Sequence, residues 1–175
     1  MKIEILALIM LMSLTVSGCA AQVTGTVLDS ETGKPVEGAV VLVEWSMTKG
    51  VPGLAYGETY RTAETLTDKE GKFSVPKVMN PLVNRPIMVV YKKGYVAWRN
   101  DFVFPTWEKR PNFIDNKPAI IKLERFREGY SKDQYDSFMS YGINGITLEK
   151  TPNFFKAESE VLHDALQEIE KRKGR

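Results

Sequence analysis

Short runs of alternating apolar and polar residues occupy the chain from Val23 to about Glu124. Clusters of Gly, Pro, Asn and Asp separate these runs at roughly even spacing, which is typical of an all-β sandwich. Because alternate side chains of a strand point to opposite faces, each run has one face to bury. Seven strands are predicted: Val23–Leu28, Ala39–Trp45, Thr59–Thr67, Lys72–Val75, Ile87–Tyr91, Tyr95–Phe104 and Ala119–Leu123.

Two connections between predicted strands carry turn signals. Asp29–Pro35 joins the first two strands, with Gly33 suited to a positive φ and Pro35 stopping the ladder. Asp68–Gly71 joins the third and fourth strands as a hairpin whose type I turn closes on a left-handed glycine. Four apolar residues share the face of the second strand that we expect to be buried: Ala39, Val41, Val43 and Trp45.

The sixth predicted strand also has two distinct sides. Its apolar side carries Val96, Trp98, Phe102 and Phe104, while Arg99 and Asp101 lie on the other side. In the last strand, Ile121 and Leu123 are the expected inward residues.

Two helices are predicted after the last strand. Ser131–Gln134 reads as a capping box, followed by Tyr135, Phe138 and Met139 on one helix face and Gly142 at the end. Thr151-Pro152 begins a longer helix, because Thr is a good N-cap and Pro is tolerated at the first position. Its apolar stripe consists of Phe154, Val161, Leu162, Ala165 and Ile169. This stripe either packs on the sandwich or docks a partner protein.

The start of the chain has the pattern of an export signal. Ile5–Val16 is apolar but too short to span a bilayer of roughly 30 Å as a helix. The run ends in Val16-Ser17-Gly18-Cys19-Ala20, which resembles the lipobox of bacterial lipoproteins. The resemblance implies that residues 1–18 are removed and that Cys19 carries lipid that holds the protein on a membrane. The alternative is an ordinary secretory signal with an incidental cysteine.

The lipoprotein resemblance also implies a location. Ala20, rather than Asp, follows the cysteine, which implies the outer membrane in organisms with two membranes. Two or three acyl chains hold a protein far more firmly than one, at about 0.8 kcal/mol per buried CH₂. The expected place is therefore the cell envelope, with a water-soluble domain tethered by its lipid.

The turn and core residues recur in an order that resembles the carboxypeptidase regulatory-like domain, a prealbumin-like seven-stranded sandwich. They are Gly25-Thr26-Val27, Asp29, Thr32-Gly33-Lys34-Pro35-Val36, Gly38-Ala39, Thr67-Asp68, Gly71, Phe73 and Gly94-Tyr95. The resemblance implies a mainly β domain over residues 19–125, with residues 126–175 as a helical C-terminal extension. Such modules accompany many unrelated activities, so the resemblance predicts fold more than function.

Composition excludes several kinds of site. The chain has 175 residues, a formal net charge of +2 with both signs mixed along it, one cysteine and one histidine. No nucleic-acid footprint is present. One histidine cannot supply the several imidazoles of hydroxyisourate hydrolases, intradiol dioxygenases or zinc carboxypeptidases. His163 itself lies opposite the apolar stripe of its helix, which favours a solvated surface residue. We expect no cofactor and no metal.

Two loops are candidates for binding. Ser46–Gly57 is a long glycine-rich connection, either a recognition loop or an insertion without a role. Pro105–Pro118 holds Trp107, Lys109, Arg110 and Phe113, a mixture suited to stacking on a sugar ring or pairing with an anion. Alternatively, Trp107 plugs the end of the sandwich.

A calcium ion is a further candidate ligand for the acidic turns. If the two turns met, calcium could bind the oxygen atoms of Asp29, Ser30, Glu31, Asp68 and Glu70. Turn formation alone also accounts for the residues of both segments.

These patterns predict a lipid-anchored, non-catalytic accessory protein that binds another envelope protein or a glycan. The alternative is an envelope hydrolase that uses carboxylates alone, as glycosidases do. Two acidic side chains converging in a cleft, about 5–10 Å apart, would favour the hydrolase.

Overall fold

The computed structural model describes residues 21–111 and 118–173. Within these ranges the chain forms nine β-strands and two α-helices, so the protein is mainly β with a helical C-terminal extension. The strands are β1 Gln22–Asp29, β2 Val40–Lys49, β3 Tyr56–Leu66, β4 Lys72–Pro76, β5 Ile87–Tyr91, β6 Trp98–Arg99, β7 Phe102–Val103, β8 Glu108–Lys109 and β9 Ala119–Leu123. The helices are α1 Lys132–Ser140 and α2 Pro152–Lys173.

Two sheets pack face to face, and we call this pair the sandwich. One sheet has the order β4-β1-β9 and the other β3-β2-β5-β6, while β7 and β8 form a separate ribbon. β1 runs antiparallel to β4 and parallel to β9. The inner core between the sheets includes the predicted inward residues Val41, Val43, Trp45, Ile121 and Leu123.

The predicted pairing of neighbouring strands is wrong at both hairpins. β1 and β2, joined by Asp29–Pro35, lie in different sheets. β3 and β4 lie in different sheets, and β4 pairs with β1 instead. The turn itself forms as predicted: Gly71 has a φ of +71° and its N–H donates to the Asp68 carbonyl at 2.9 Å. Alternation shows which face of a strand is buried, but not which strand pairs with its edge, so alternation alone does not select the partner.

Half of the predicted loop 46–57 belongs to strands. β2 continues to Lys49 and β3 begins at Tyr56, and the two pair along their whole length around a β-bulge between Trp45 and Ser46. The bulge places one extra residue, Tyr60, on β3, and the pairing continues beyond it to Lys49 and Tyr56. The hairpin turn, residues 50–55, is exposed.

The predicted sixth strand, Tyr95–Phe104, is broken into β6 and β7. The break occurs at Asn100, whose side chain accepts from Met88 N–H at 2.9 Å and donates to the Pro86 carbonyl at 2.8 Å. Arg99, on the polar side of the predicted strand, is completely buried. The predicted apolar side is also divided, because Trp98 lies in the inner core and Phe104 in a second core.

This second core lies between the four-stranded sheet and the C-terminal helices. Val40 and Leu42 of β2 face it, opposite to the face that carries Val41 and Val43. β2 is therefore buried on both faces, which explains its run of apolar residues. The predicted helix residues that cover it are Tyr135, Phe138, Met139, Phe154 and Val161.

The longer helix packs on the sandwich, as one of the two interpretations of its stripe predicted. Phe154, Val161 and Ala165 are buried. Leu162, predicted in the stripe, is instead 45% exposed. Ala157 takes part in the buried face in its place, because the contact follows positions three and four residues apart.

Two glutamates of the four-stranded sheet bind backbone amides of the extension. Glu64 accepts from the N–H groups of Asn153 and Phe154, both at 3.0 Å, in the first turn of α2. Glu44 is buried and accepts from the N–H groups of Asn144 at 3.0 Å and Gly145 at 3.3 Å. A carboxylate at the start of a helix satisfies amides that lack helical partners and suits the helix dipole.

Arg99 binds main-chain carbonyls at the C-terminus of α1, whereas the two glutamates bind main-chain amides. Its guanidinium donates to the main-chain oxygens of Phe138, Met139 and Tyr141, at 3.2, 3.2 and 2.8 Å. Two further bonds of 2.8 Å join it to the carboxylate of Asp101. A buried cation at a helix C-terminus satisfies the last carbonyls, so the extension is fixed to the sheet at both helices.

Candidate functional site

A cleft opens where one end of the sandwich meets the two helices. It encloses about 340 Å³, near the lower limit of small-molecule sites in proteins. Aromatic side chains form its walls and charged side chains stand around its mouth. The lining residues are Tyr91, Lys93, Gly94, Tyr95, Phe126, Lys132, Tyr135, Glu160, Val161 and Asp164.

The turn after β5 forms one side of the cleft. Gly94 has a φ of +88°, which a glycine adopts without strain. Beyond the turn, the Tyr135 hydroxyl of α1 donates to the Tyr95 carbonyl at 3.0 Å and accepts from the Ala97 N–H at 2.9 Å. These two bonds fix the turn to the helix, so the walls of the cleft hold a defined spacing.

The walls are aromatic and rigid. The rings of Phe126 and Tyr135 meet edge to face with centroids 4.9 Å apart. Tyr95 donates its hydroxyl proton to Asp29 at 2.8 Å, and that hydrogen bond is the main reason why the pKa of Tyr95 is raised. Burial raises the pKa of Tyr135 as well. Both tyrosines are therefore neutral at physiological pH and serve as apolar surface with a polar tip.

Two ion pairs flank the mouth of the cleft. Lys93 lies 3.3 Å from Glu160, and Lys132 lies 3.5 Å from Asp164. The two carboxylates are four residues apart and therefore project from the same face of α2. Burial, followed by the charges of Glu160 and Asp164, raises the pKa of Tyr91 to about 12. The mouth thus has positively charged hydrogen-bond donors and negatively charged acceptors beside an aromatic wall.

This arrangement suits binding better than acid catalysis. A glycosidase acid must hold a proton, which apolar surroundings favour and a neighbouring cation opposes. Glu160 and Asp164 both line the cleft, as the hydrolase alternative requires, but each of these carboxylates is paired with a lysine. An aromatic surface with polar groups at its edge is instead the arrangement that recognises a ring with an apolar face and hydroxyl or charged substituents.

The three binding residues predicted from the sequence do not form one exposed surface. Trp107 is half-buried, and its ring packs on Phe138 and Tyr141 with centroids 5.2 and 5.1 Å away. Arg110 donates to the Arg99 carbonyl at 2.7 Å, and its guanidinium carbon lies 4.9 Å from the centre of the Trp98 ring. Lys109 is exposed. Phe113 lies outside the described residues.

Of the two other residues singled out by the sequence, His163 and Cys19, the structure describes only His163. His163 is exposed on α2, where its ring contacts Gln167 at 2.9 Å. Cys19 and the export signal of residues 1–18 lie outside the described residues. Their assignment stays a prediction from the sequence.

The acidic turn around Asp29 is occupied by hydrogen-bond donors. Its carboxylate accepts from the N–H groups of Glu31 and Thr32 and from the Arg125 guanidinium at 2.8 Å, in addition to Tyr95. The Thr32 N–H and the Tyr95 hydroxyl are the main reasons why the pKa of Asp29 lies well below its usual range. In residues 21–111 and 118–173 no three His, Cys, Asp or Glu side chains form a group suited to a metal ion.

The cleft was not predicted from the sequence, although most of the elements around it were. The lining comes from four separate segments: the turn after β5, Phe126, α1 and α2. One signal was present in the sequence, because Glu160 and Asp164 are one turn apart on a helix face that the apolar stripe does not use. Nothing in the sequence indicated that Lys93 and Lys132 would meet them.

Comparison with known proteins adds no relative. No family model, no curated protein and no solved structure matches the chain. Neither described helix has the length and hydrophobicity needed to span a membrane.

Proposed function

We propose that this chain is a lipid-anchored envelope protein that binds a glycan in the cleft and catalyses no reaction. The lipid is attached to Cys19, and the mature protein is held on the outer membrane if the organism has two membranes. The fold is proposed to be a variant of the prealbumin-like sandwich of carboxypeptidase regulatory-like domains, extended by two helices. A mainly β chain with two packed sheets is compatible with that relationship.

The position of the cleft relative to the anchor carries the proposal. β1 begins at Gln22, close to Cys19, and runs about 25 Å to Asp29 at the other end of the sandwich. Asp29 binds Tyr95, which lines the cleft. A lipid on Cys19 would therefore attach one end of the sandwich to the membrane and present the cleft at the opposite end. That arrangement suits a receptor for a ligand in the envelope space.

A glycan matches the chemistry of the cleft. Sugar rings have an apolar face that stacks on aromatic side chains such as Phe126 and Tyr95, and both of these are partly exposed. Envelope glycans also carry amino, carboxylate and hydroxyl groups, which the ion-paired residues at the mouth complement. The volume of about 340 Å³ accommodates a unit of one sugar ring rather than a folded protein surface.

Calorimetric titration of the purified lipoprotein in detergent with soluble peptidoglycan fragments tests the proposal. Phe126→Leu keeps apolar volume but removes the ring, and we expect about fivefold weaker binding, equivalent to about 1 kcal/mol. Lys93→Ala should also weaken binding. Lys109→Ala is the matched control, because Lys109 is exposed and does not line the cleft. Equal loss in all three variants would contradict the assignment of the cleft.

The competing partner is another envelope protein. A photo-crosslinking amino acid placed at Lys93 in intact cells would label it if it covered the cleft. Protein adducts at this position, together with no measurable binding of peptidoglycan fragments, would overturn the glycan assignment.

The hydrolase alternative is tested with the same reagents. If Glu160 and Asp164 performed acid and base catalysis, incubation with the fragments would release new reducing ends, and Glu160→Gln would abolish that release. We expect the protein to return the fragments unchanged.

A further inference from the structure

The anchor point proposed above fixes which part of the surface faces the membrane. Only Ala20 separates Cys19 from Ala21, so the Cα atoms of Cys19 and Ala21 lie within about 7 Å of each other. The Ala21 carbonyl accepts from the Lys77 N–H at 2.8 Å, immediately after β4. A lipid on Cys19 therefore holds this end of the sandwich within one or two residue lengths of the bilayer.

The long β2–β3 hairpin projects from the same end. The segment that begins at Lys77 continues to Asn84, whose N–H donates to the Ser46 carbonyl at 2.8 Å. The Asn84 side chain also bonds to Thr48, at 3.1 Å from its amide nitrogen. Beyond this point the hairpin is no longer covered by the 77–84 segment, and its turn extends outward from the end at which β1 begins.

The surface of this end is unusually apolar. Leu54 in the hairpin turn is 77% exposed, and Met79 and Leu82 in the neighbouring segment are 75% and 73% exposed. Val51 and Tyr56 of the hairpin are also exposed. We call these five residues the anchor-end surface. Exposing such side chains to water is unfavourable, and a lipid interface is one environment that removes them from it.

Cations surround the anchor-end surface. In the two segments that meet at this end, 49–61 and 77–85, four basic residues accompany one acidic residue. The basic residues are Lys49, Arg61, Lys77 and Arg85, and the acidic residue is Glu58. An apolar surface within a basic border matches the interface of a membrane that contains anionic lipids.

We propose that the anchor-end surface inserts into the headgroup region of the same bilayer that holds the lipid on Cys19. The inference rests on the proposed lipid anchor and adds a second contact, made by the protein itself. Val51 and Leu54 enter the interface, Tyr56 lies at headgroup depth and the basic residues contact phosphates. Two contacts orient the sandwich, and the cleft then faces away from the membrane.

Depth-dependent quenching of tryptophan fluorescence tests this orientation. The purified lipoprotein carrying Leu54→Trp is reconstituted into vesicles of phosphatidylethanolamine and phosphatidylglycerol, with or without brominated acyl chains. Leu148→Trp is the matched control, because Leu148 is 65% exposed in the loop between α1 and α2. The native Trp45, Trp98 and Trp107 are present in both variants and contribute the same background.

We expect brominated lipid to reduce the emission of the Leu54→Trp variant at least about twofold more than that of the Leu148→Trp variant. Equal quenching of the two variants would overturn the proposal, whether the hairpin stays in water or is covered by another protein. Mass spectrometry of the same preparations reports the lipid on Cys19. A lipidated protein without selective quenching contradicts only the membrane contact, whereas an unlipidated Cys19 contradicts the anchor and the contact together.

Discussion

The carboxylate of Glu64 on β3 accepts the backbone N–H of Phe154, 3.0 Å away in the first turn of α2. The same carboxylate binds both the backbone and side-chain nitrogens of Asn153, at 3.0 and 2.8 Å. Glu64 thus caps the N-terminus of α2, although it lies nearly ninety positions away from the helix in the sequence. This contact explains why the helical extension is part of the domain rather than an independent tail.

We predict that Glu64→Ala lowers the free energy of unfolding by about 1–2 kcal/mol, because several donors of the first helical turn lose their acceptor. Urea denaturation followed by circular dichroism measures the change. Glu58→Ala removes an exposed carboxylate of the same strand, paired with Lys49 at 3.8 Å, and should cost less than about 0.5 kcal/mol. Equal effects of the two substitutions would mean that Glu64 does not hold the helix.

Arg99→Met should destabilise the protein more severely. The substitution leaves three main-chain carbonyls at the end of α1 without a donor and leaves Asp101 without its cation. Loss of one partner from a buried charged network costs about 3–5 kcal/mol. The exposed Arg127→Met serves as the control and should stay within about 0.5 kcal/mol of the wild type. A small effect of Arg99→Met on the urea midpoint would contradict the described network.

Trp107→Ala is predicted to destabilise the protein, whereas Lys109→Ala is not. The Trp107 ring packs against Phe102, Phe138 and Tyr141, so truncation removes contacts from the second core and costs about 2–4 kcal/mol. Thermal unfolding of the two variants separates the roles. If Trp107→Ala melted like the wild type, the ring would be free to bind a ligand, as the sequence first suggested.

Alternation predicted much of the inner core, and it failed where burial depends on contacts that are distant in the sequence. Val41, Val43 and Trp45 were assigned to one buried face from spacing alone, and they lie there. Spacing could not show that Val40 and Leu42 on the opposite face are also buried, because the covering helices begin about ninety residues later. The same strand therefore reads as half-buried in the sequence and is buried on both faces.

Arg99 illustrates a second limit. A polar residue on the outward side of an alternating strand is expected in water, and the sequence placed Arg99 there. The helix C-terminus that Arg99 binds is formed by residues about forty positions away. The cleft escaped prediction for the same reason, since Lys93 and Glu160 meet only after the extension folds onto the sheet. Pairing over such distances leaves no local pattern.

Asp29→Asn is predicted to reduce stability in a pH-dependent way. The pKa of Asp29 in the folded protein lies below its ordinary value of 3.8, so the stabilising contribution is complete above that value and is lost as the pH falls through the lower folded pKa. The difference between wild type and variant should therefore be constant from about pH 7 to pH 5 and shrink at more acidic pH. Urea midpoints across this range measure it. A difference that grew on acidification would contradict the assignment.

The central claim, that a lipid on Cys19 anchors the sandwich by the end at which β1 begins, is tested most directly by metabolic labelling with palmitate. The full-length chain and its Cys19→Ser variant are expressed in bacteria, and labelled protein is followed in membrane fractions together with cleavage of residues 1–18. We predict that the wild type incorporates palmitate and is cleaved before Cys19. The Cys19→Ser variant should remain unlabelled and uncleaved. Equal labelling of the variant and the wild type would contradict the anchor and, with it, the orientation of the cleft.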